Sequence, residues 1–80
     1  MFTVYVLYSD RYDKIYIGVT SDLGGRLLSH NELGVKGWTV RYRPWRLLYQ
    51  EEYESKAQAL KREQSLKSFR GRVFIRSLLG

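Results

Sequence analysis

Residues Phe2 to Tyr8 alternate from side to side, yet both faces are largely apolar. Phe2, Val4, Val6 and Tyr8 point one way, and Thr3, Tyr5 and Leu7 the other. A strand of this kind needs cover on both faces, so it reads as the central strand of a layered structure. A polar stretch, Ser9 to Lys14, leads to a second alternating run, Ile15 to Thr20. There Ile15, Ile17 and Val19 share one face, while Tyr16 and Gly18 turn away from it. Strand, short polar loop, strand is a hairpin.

The rest of the chain supplies the cover. Ser21-Asp22 offers a capping hydroxyl and a carboxylate at a helix start, and Gly34 suits its end. Gly24-Gly25 fits a helix poorly, at about 1 kcal/mol each against Ala, unless something approaches closely there. Val35 to Pro44 reads as irregular. Trp45 to Tyr53 reads as a third strand, with Trp45, Leu47 and Tyr49 on one side. Ser55-Lys56-Ala57-Gln58 has the spacing of a capping box and opens a second helix running to about Ser68. Gly71 is expected to separate it from a last helix carrying Phe74, Ile75, Leu78 and Leu79. The expected architecture is α+β: a small three-stranded antiparallel sheet flanked by helices, in the order strand, strand, helix, strand, helix, helix.

Eighty residues suggest one domain, 1–80, with a single small core. The apolar fraction of 44% argues against disorder. With no cysteine, disulfides and thiolate metal sites are excluded, and a single histidine excludes a His-rich zinc site. No apolar run approaches the ~20 residues that span a membrane, and the start does not look like a signal peptide, so a cytoplasmic protein is the default expectation. Fourteen Lys and Arg against eight Asp and Glu give +6, with a pI near 9.8. A domain this basic points toward a polyanion, of which nucleic acid is the commonest.

Two helices carry polar groups where apolar ones are expected. On a helical wheel Glu63 falls between Leu60 and the pair Ala59 and Leu66. Arg26 and His30, four apart, fall among Leu23, Leu27 and Leu33. An unpartnered carboxylate in an apolar arc is costly, so Glu63 must meet a base, a cation or the rim of a cleft. An internal Glu63–Arg26 ion pair and a hydrogen-bonded core His30 would account for the same pattern. Tyr5 and Tyr16 alone indicate little, because tyrosine favours strands.

In order along the chain, Thr3-Val4-Tyr5, Tyr16-Ile17-Gly18, Arg26-Leu27, His30-Asn31 and Ala59-Leu60-Lys61-Arg62-Glu63 resemble the motifs of the GIY-YIG nucleases. The likeness is greatest to small stand-alone bacterial members, relatives of the N-terminal catalytic domain found in excinuclease ABC. It implies a metal-dependent DNA endonuclease acting in repair or recombination. Its site would be Tyr5, Tyr16, Arg26, His30 and Glu63, with Glu63 holding one Mg²⁺ or Mn²⁺ ion. Arg26 would clamp the scissile phosphate, and Tyr16 would be the base for the attacking water, with Tyr5 and His30 bonded around it. One carboxylate implies a one-metal mechanism. This reading expects Arg26 and Glu63 to meet across a cleft; their lying on opposite faces of the sheet would refute the site.

The chain departs from the family pattern in Thr3-Val4 before Tyr5 and in Gly24-Gly25. Ile75 stands where some relatives place an asparagine. The expected DNA contacts are Lys36, Arg41, Arg43, Arg46, Lys61, Lys67 and Arg70, with Trp38, Tyr42 and Trp45 interleaved among the first of them. Branched or damaged DNA is the expected substrate, with a protein partner as a means of targeting. Two alternatives stay open: a binding module on the same fold that does not cut, and an RRM. The RRM is suggested by Val4-Tyr5-Val6 and Lys36 to Val40, but would require a helix directly after the first strand.

Overall fold

The computed structural model describes residues 1–34 and 37–80. Strands β1 (Phe2–Ser9) and β2 (Lys14–Thr20) form the expected hairpin, and β3 (Arg46–Tyr53) pairs antiparallel with the other side of β1. The sheet order β2-β1-β3 makes the doubly apolar strand central. No helix intervenes between β1 and β2, which removes the RRM reading.

Each face of β1 has its own apolar cluster. Val4 and Val6, with Ile17 of β2, pack against Ala59 and Leu66 of helix α2 (Lys56–Lys67) and Ile75 of α3 (Phe69–Ser77). Tyr5 and Leu7 pack on the opposite face with Trp45, Tyr16 and two leucines, Leu23 and Leu27, of α1 (Leu23–Leu28). The alternation of β1 thus assigns one helix layer to each side.

Three local expectations need correction. A bulge opposite Val6 and Leu7 shifts the β3 register, so Tyr49 joins the Val4 cluster while Trp45 joins Tyr5. The stretch expected to be irregular contains a 3₁₀ turn, Trp38–Tyr42, and the first helix continues past α1 as a π turn, Ser29–Leu33. Gly71 lies inside α3; the break falls at Ser68, whose hydroxyl caps α3 by accepting from the Gly71 N–H. Gly71 is required by close approach, since a Cβ there would lie 2.4 Å from the Leu66 Cα and from the Leu66 and Ser65 carbonyl oxygens.

Asp22, rather than Ser21, caps α1 by accepting from the Gly25 N–H at 3.1 Å. Its carboxylate lies where a Gly25 Cβ would go, whereas Gly24 has almost nothing around it. Glu51 bolts α2 to β3: it accepts from Nε and Nη2 of Arg62 and from the hydroxyls of Tyr49 and Tyr53. Gly71→Ala should lose about 1–3 kcal/mol by overpacking backbone against backbone. Gly24→Ala should gain up to about 1 kcal/mol from helix propensity. Urea unfolding of both variants checks the pair; equal effects would remove the distinction between a packing glycine and a dispensable one.

Candidate active site

The site is built on the tyrosine face of the hairpin. Register places Tyr5 opposite Gly18, and a Cβ at Gly18 would sit 2.6 Å from the Tyr5 hydroxyl oxygen. The missing side chain lets the phenol lie flat across β2, which gives Tyr16-Ile17-Gly18 a physical rationale. Tyr5 has no solvent exposure, and its hydroxyl meets His30 Nε2 at 3.1 Å. The other ring nitrogen, Nδ1, meets Thr39 Oγ1 at 3.0 Å. Tyr16 packs on the His30 ring with centroids 4.7 Å apart.

Burial pushes the Tyr5 hydroxyl above its ordinary value of 10.0, a shift opposed by the nearby Arg26 guanidinium and reinforced by Tyr16. Burial also lowers His30 from 6.5, with the Arg26 and Arg43 cations adding to it. Tyr5 thus stays protonated beside a neutral imidazole whose two ring nitrogens are both hydrogen-bonded, one to Tyr5 and one to Thr39. The nearby Tyr5 oxygen holds Arg26 all the more firmly cationic. Tyr16, Arg26, His30, Trp38 and Thr39 line one open cleft of about 270 Å³.

Several residues hold this arrangement in ways the sequence does not announce. Asn31 clamps the Trp45 backbone, accepting from its N–H at 2.6 Å and donating to its carbonyl at 2.9 Å. The Trp45 indole donates to the Thr39 carbonyl at 2.8 Å. Arg43 turns inward, donating to the carbonyls of Ser29, His30 and Gly34, so its guanidinium closes the end of the π turn. It is a structural cation, not an exposed phosphate contact. Among the other expected contacts, Arg46 pairs with Asp10 and Lys67 with Glu63, while Arg41, Lys61 and Arg70 are exposed. Lys36 lies outside the described residues.

Glu63 stands apart from the other four. It is half-buried on α2, 3.4 Å from the Lys67 ammonium, and Leu60 beside it is exposed rather than part of an apolar arc. Its helix covers the Val4 face, whereas Arg26 comes from the helix covering the Tyr5 face. No Arg26–Glu63 ion pair occurs among the described residues, and two clefts lined by Arg26 do not include Glu63. In these two clefts the expected meeting of Arg26 and Glu63 does not occur. Arg26 does reach toward that layer, lining a groove with Phe2, Val19 and Lys56, the first residue of α2. As for a metal, no group of three or more His, Cys, Asp or Glu side chains gathers among the described residues. A single half-buried carboxylate fits a hard cation that keeps water and phosphate oxygens as its remaining ligands, and does not fit a closed protein cage.

The model of the GIY-YIG catalytic domain matches residues 1–72. The chain belongs to the GIY-YIG family. Similar relatives include UPF0213 proteins of Staphylococcus aureus strains Mu50 and N315, each 45% identical over 57 residues, covering 70% of this chain and 68% of the relative. A UPF0213 protein of Staphylococcus saprophyticus is 38% identical over 56 residues, with the same coverage. Membership makes this GIY-YIG chain part of a nuclease family whose members generally use divalent metal ions. No helix among the described residues is long and apolar enough to cross a membrane.

The lowered His30 has a measurable consequence. The unfolded chain takes up a proton near pH 6.5 while the folded site resists it, so stability should be full above about pH 7 and fall as pH drops below 6.5. His30 is the one histidine, and the affected carboxylates, Asp13 and Glu51, are both shifted below 4.5, so the window from 6.5 to about 5 isolates it. Thermal melts across this window should show the loss in the wild type and a flat profile in His30→Gln. A flat wild-type profile would reverse the assignment of a neutral imidazole.

Proposed function

We propose that this chain is a DNA endonuclease that hydrolyses phosphodiester bonds with the help of one divalent cation, Mg²⁺ or Mn²⁺, in repair or recombination of branched or damaged DNA. The observation that carries the reading is the convergence of Tyr16, Arg26 and His30 on one open cleft, with Tyr5 locked behind them. Arg26 is the cation placed to grip the scissile phosphate and to stabilise the charge that builds there. Of the three candidate bases, Tyr5 is buried and held protonated, and His30 has both ring nitrogens hydrogen-bonded. Tyr16, half-buried at the cleft, is left as the group that takes the proton from water, a role that requires it to act as the phenolate, its own proton having gone to solvent. The water oxygen bonds to phosphorus as the P–O3′ bond breaks, leaving a 5′-phosphate and a 3′-hydroxyl that regains its proton from solvent.

Glu63 is the carboxylate assigned to the cation, which would supply Lewis-acid stabilisation of the phosphate oxygens when bound. Because Glu63 lies in the other helix layer, this assignment requires the phosphate to sit near the end of β2, where Arg26 reaches toward α2. Arg41, Lys61 and Arg70 are the exposed cations assigned to flanking DNA, and a protein partner is assigned the task of directing the domain to its target. The Glu63–Lys67 pair specifically favours a second reading, in which the same fold binds DNA without cutting it.

Nicking of supercoiled plasmid separates the two. With Mg²⁺ or Mn²⁺ the wild type should nick, Arg26→Ala should lose about 100- to 1,000-fold in rate, and Glu63→Ala and added EDTA should abolish cutting. Cutting by Glu63→Ala at the wild-type rate would remove Glu63 from the site. DNA binding without nicking by any of them would establish the second reading.

A further inference from the structure

The aromatic residues around the 3₁₀ turn differ in what they offer solvent. Trp45 is 4% exposed and Tyr42 half-buried, but Trp38 is 46% exposed. Its indole is supported from behind by Tyr42 at 5.0 Å and Trp45 at 5.6 Å between centroids, and lies within 28° of parallel to Tyr16 at 6.4 Å. A large ring held by three aromatic neighbours and still nearly half exposed offers apolar surface to a ligand.

Trp38 is also a wall shared by two clefts. One holds Tyr16, Arg26 and His30; the other, of about 300 Å³, is lined by Asp13, Lys14, Ile15, Arg72 and Arg76. The second cleft carries three cations and one carboxylate, and that carboxylate is occupied by Arg76 and the Tyr8 hydroxyl. The Lys14 ammonium sits over the Tyr42 ring at 5.4 Å, tying the cationic cleft to the aromatic platform. Candidate site, open indole and cationic cleft therefore follow one another along the surface. That sequence of surfaces matches a polyanion carrying flat apolar groups.

We propose that the second cleft receives the strand flanking the scissile phosphate, and that an unpaired base of that strand stacks on Trp38. Duplex bases are stacked on one another and cannot offer a face to an indole, whereas an unpaired base can. The preferred substrate is then DNA with a single-stranded segment beside the cut, such as a flap, fork or gap. The location of the cut rests on the nuclease reading above; the binding preference does not.

Fluorescence anisotropy in EDTA, which stops cutting, tests the proposal with a labelled 5′-flap DNA and a blunt duplex of equal length. The wild type should prefer the flap. Trp38→Ala should weaken flap binding about 5- to 150-fold, the equivalent of one base–aromatic stack, and should erase most of the preference. Trp38→Phe should retain part of it. Lys14→Ala and Arg72→Ala should each lower the salt slope of flap binding by about 0.7. Equal wild-type affinity for the two DNAs, or a Trp38→Ala loss shared equally by both, overturns the proposal. Should Trp38→Ala fail to fold by circular dichroism, unchanged flap binding by both Lys14→Ala and Arg72→Ala overturns it instead. A flap preference without nicking in Mg²⁺ sinks the nuclease reading and leaves this one standing.

Discussion

A phenol buried as fully as Tyr5 must satisfy its hydroxyl inside the protein, since an orphaned buried donor costs about 1–3 kcal/mol. The groups that meet this obligation organise the whole tyrosine face. Tyr5 leads to His30, His30 to the Thr39 hydroxyl, and the Thr39 carbonyl to the Trp45 indole. Asn31, the residue beside His30, then clasps the Trp45 backbone and closes the circuit. The loop closes on itself, so each member is oriented by the next. His30 is thus a hydrogen-bonded core histidine and a wall of the cleft at once; the two readings of it do not compete.

The central strand imposes a division of labour. Its even residues support an aliphatic layer under α2 and α3, and its odd ones a polar-aromatic layer under α1. A site that uses Tyr5, Tyr16, Arg26 and His30 can grow only on the second layer. Any contribution from α2 must come around the edge strand β2, with which that helix packs. This explains why Glu63 is absent from the aromatic cleft. It also places a demand on the proposed chemistry: a phosphate gripped by Arg26 must lie toward the α2 side of its reach for a cation on Glu63 to touch it.

The strands and helices are legible in the sequence because alternation and capping chemistry are local. Phe2 to Tyr8 declares its two faces, and Ser55 its cap, without help from distant residues. What stays hidden depends on long-range contact. The bulge that moves Tyr49 to the other face has no mark in Arg46 to Tyr53. Gly71 resembles a terminator, because a glycine demanded by a neighbouring helix looks like one demanded by a turn. The bonding roles of Thr39 and Asn31 give little sign, since small polar residues in short helical turns acquire meaning only when their partners are known. The relation between Arg26 and Glu63 is obscured for a related reason: a helical wheel reports which arc a residue occupies, but not which side of the sheet its helix will cover.

The cations make the same point with respect to function. A net charge of +6 draws DNA from a distance whatever the local pairing. Contact is another matter. Arg43 is spent on three carbonyls, and Arg62 is held in a bidentate pair by Glu51. Arg46 and Arg76 share exposed pairs with Asp10 and Asp13, worth little and easily exchanged for a phosphate. The inward Arg43 and the outward Arg41 stand two residues apart and are indistinguishable by composition. Charge count therefore predicts encounter, while the placement of the unspent cations around Trp38 and the Tyr16 cleft decides where a strand can settle. A small basic domain can gather any nucleic acid electrostatically; discrimination must come from surfaces that a duplex cannot satisfy.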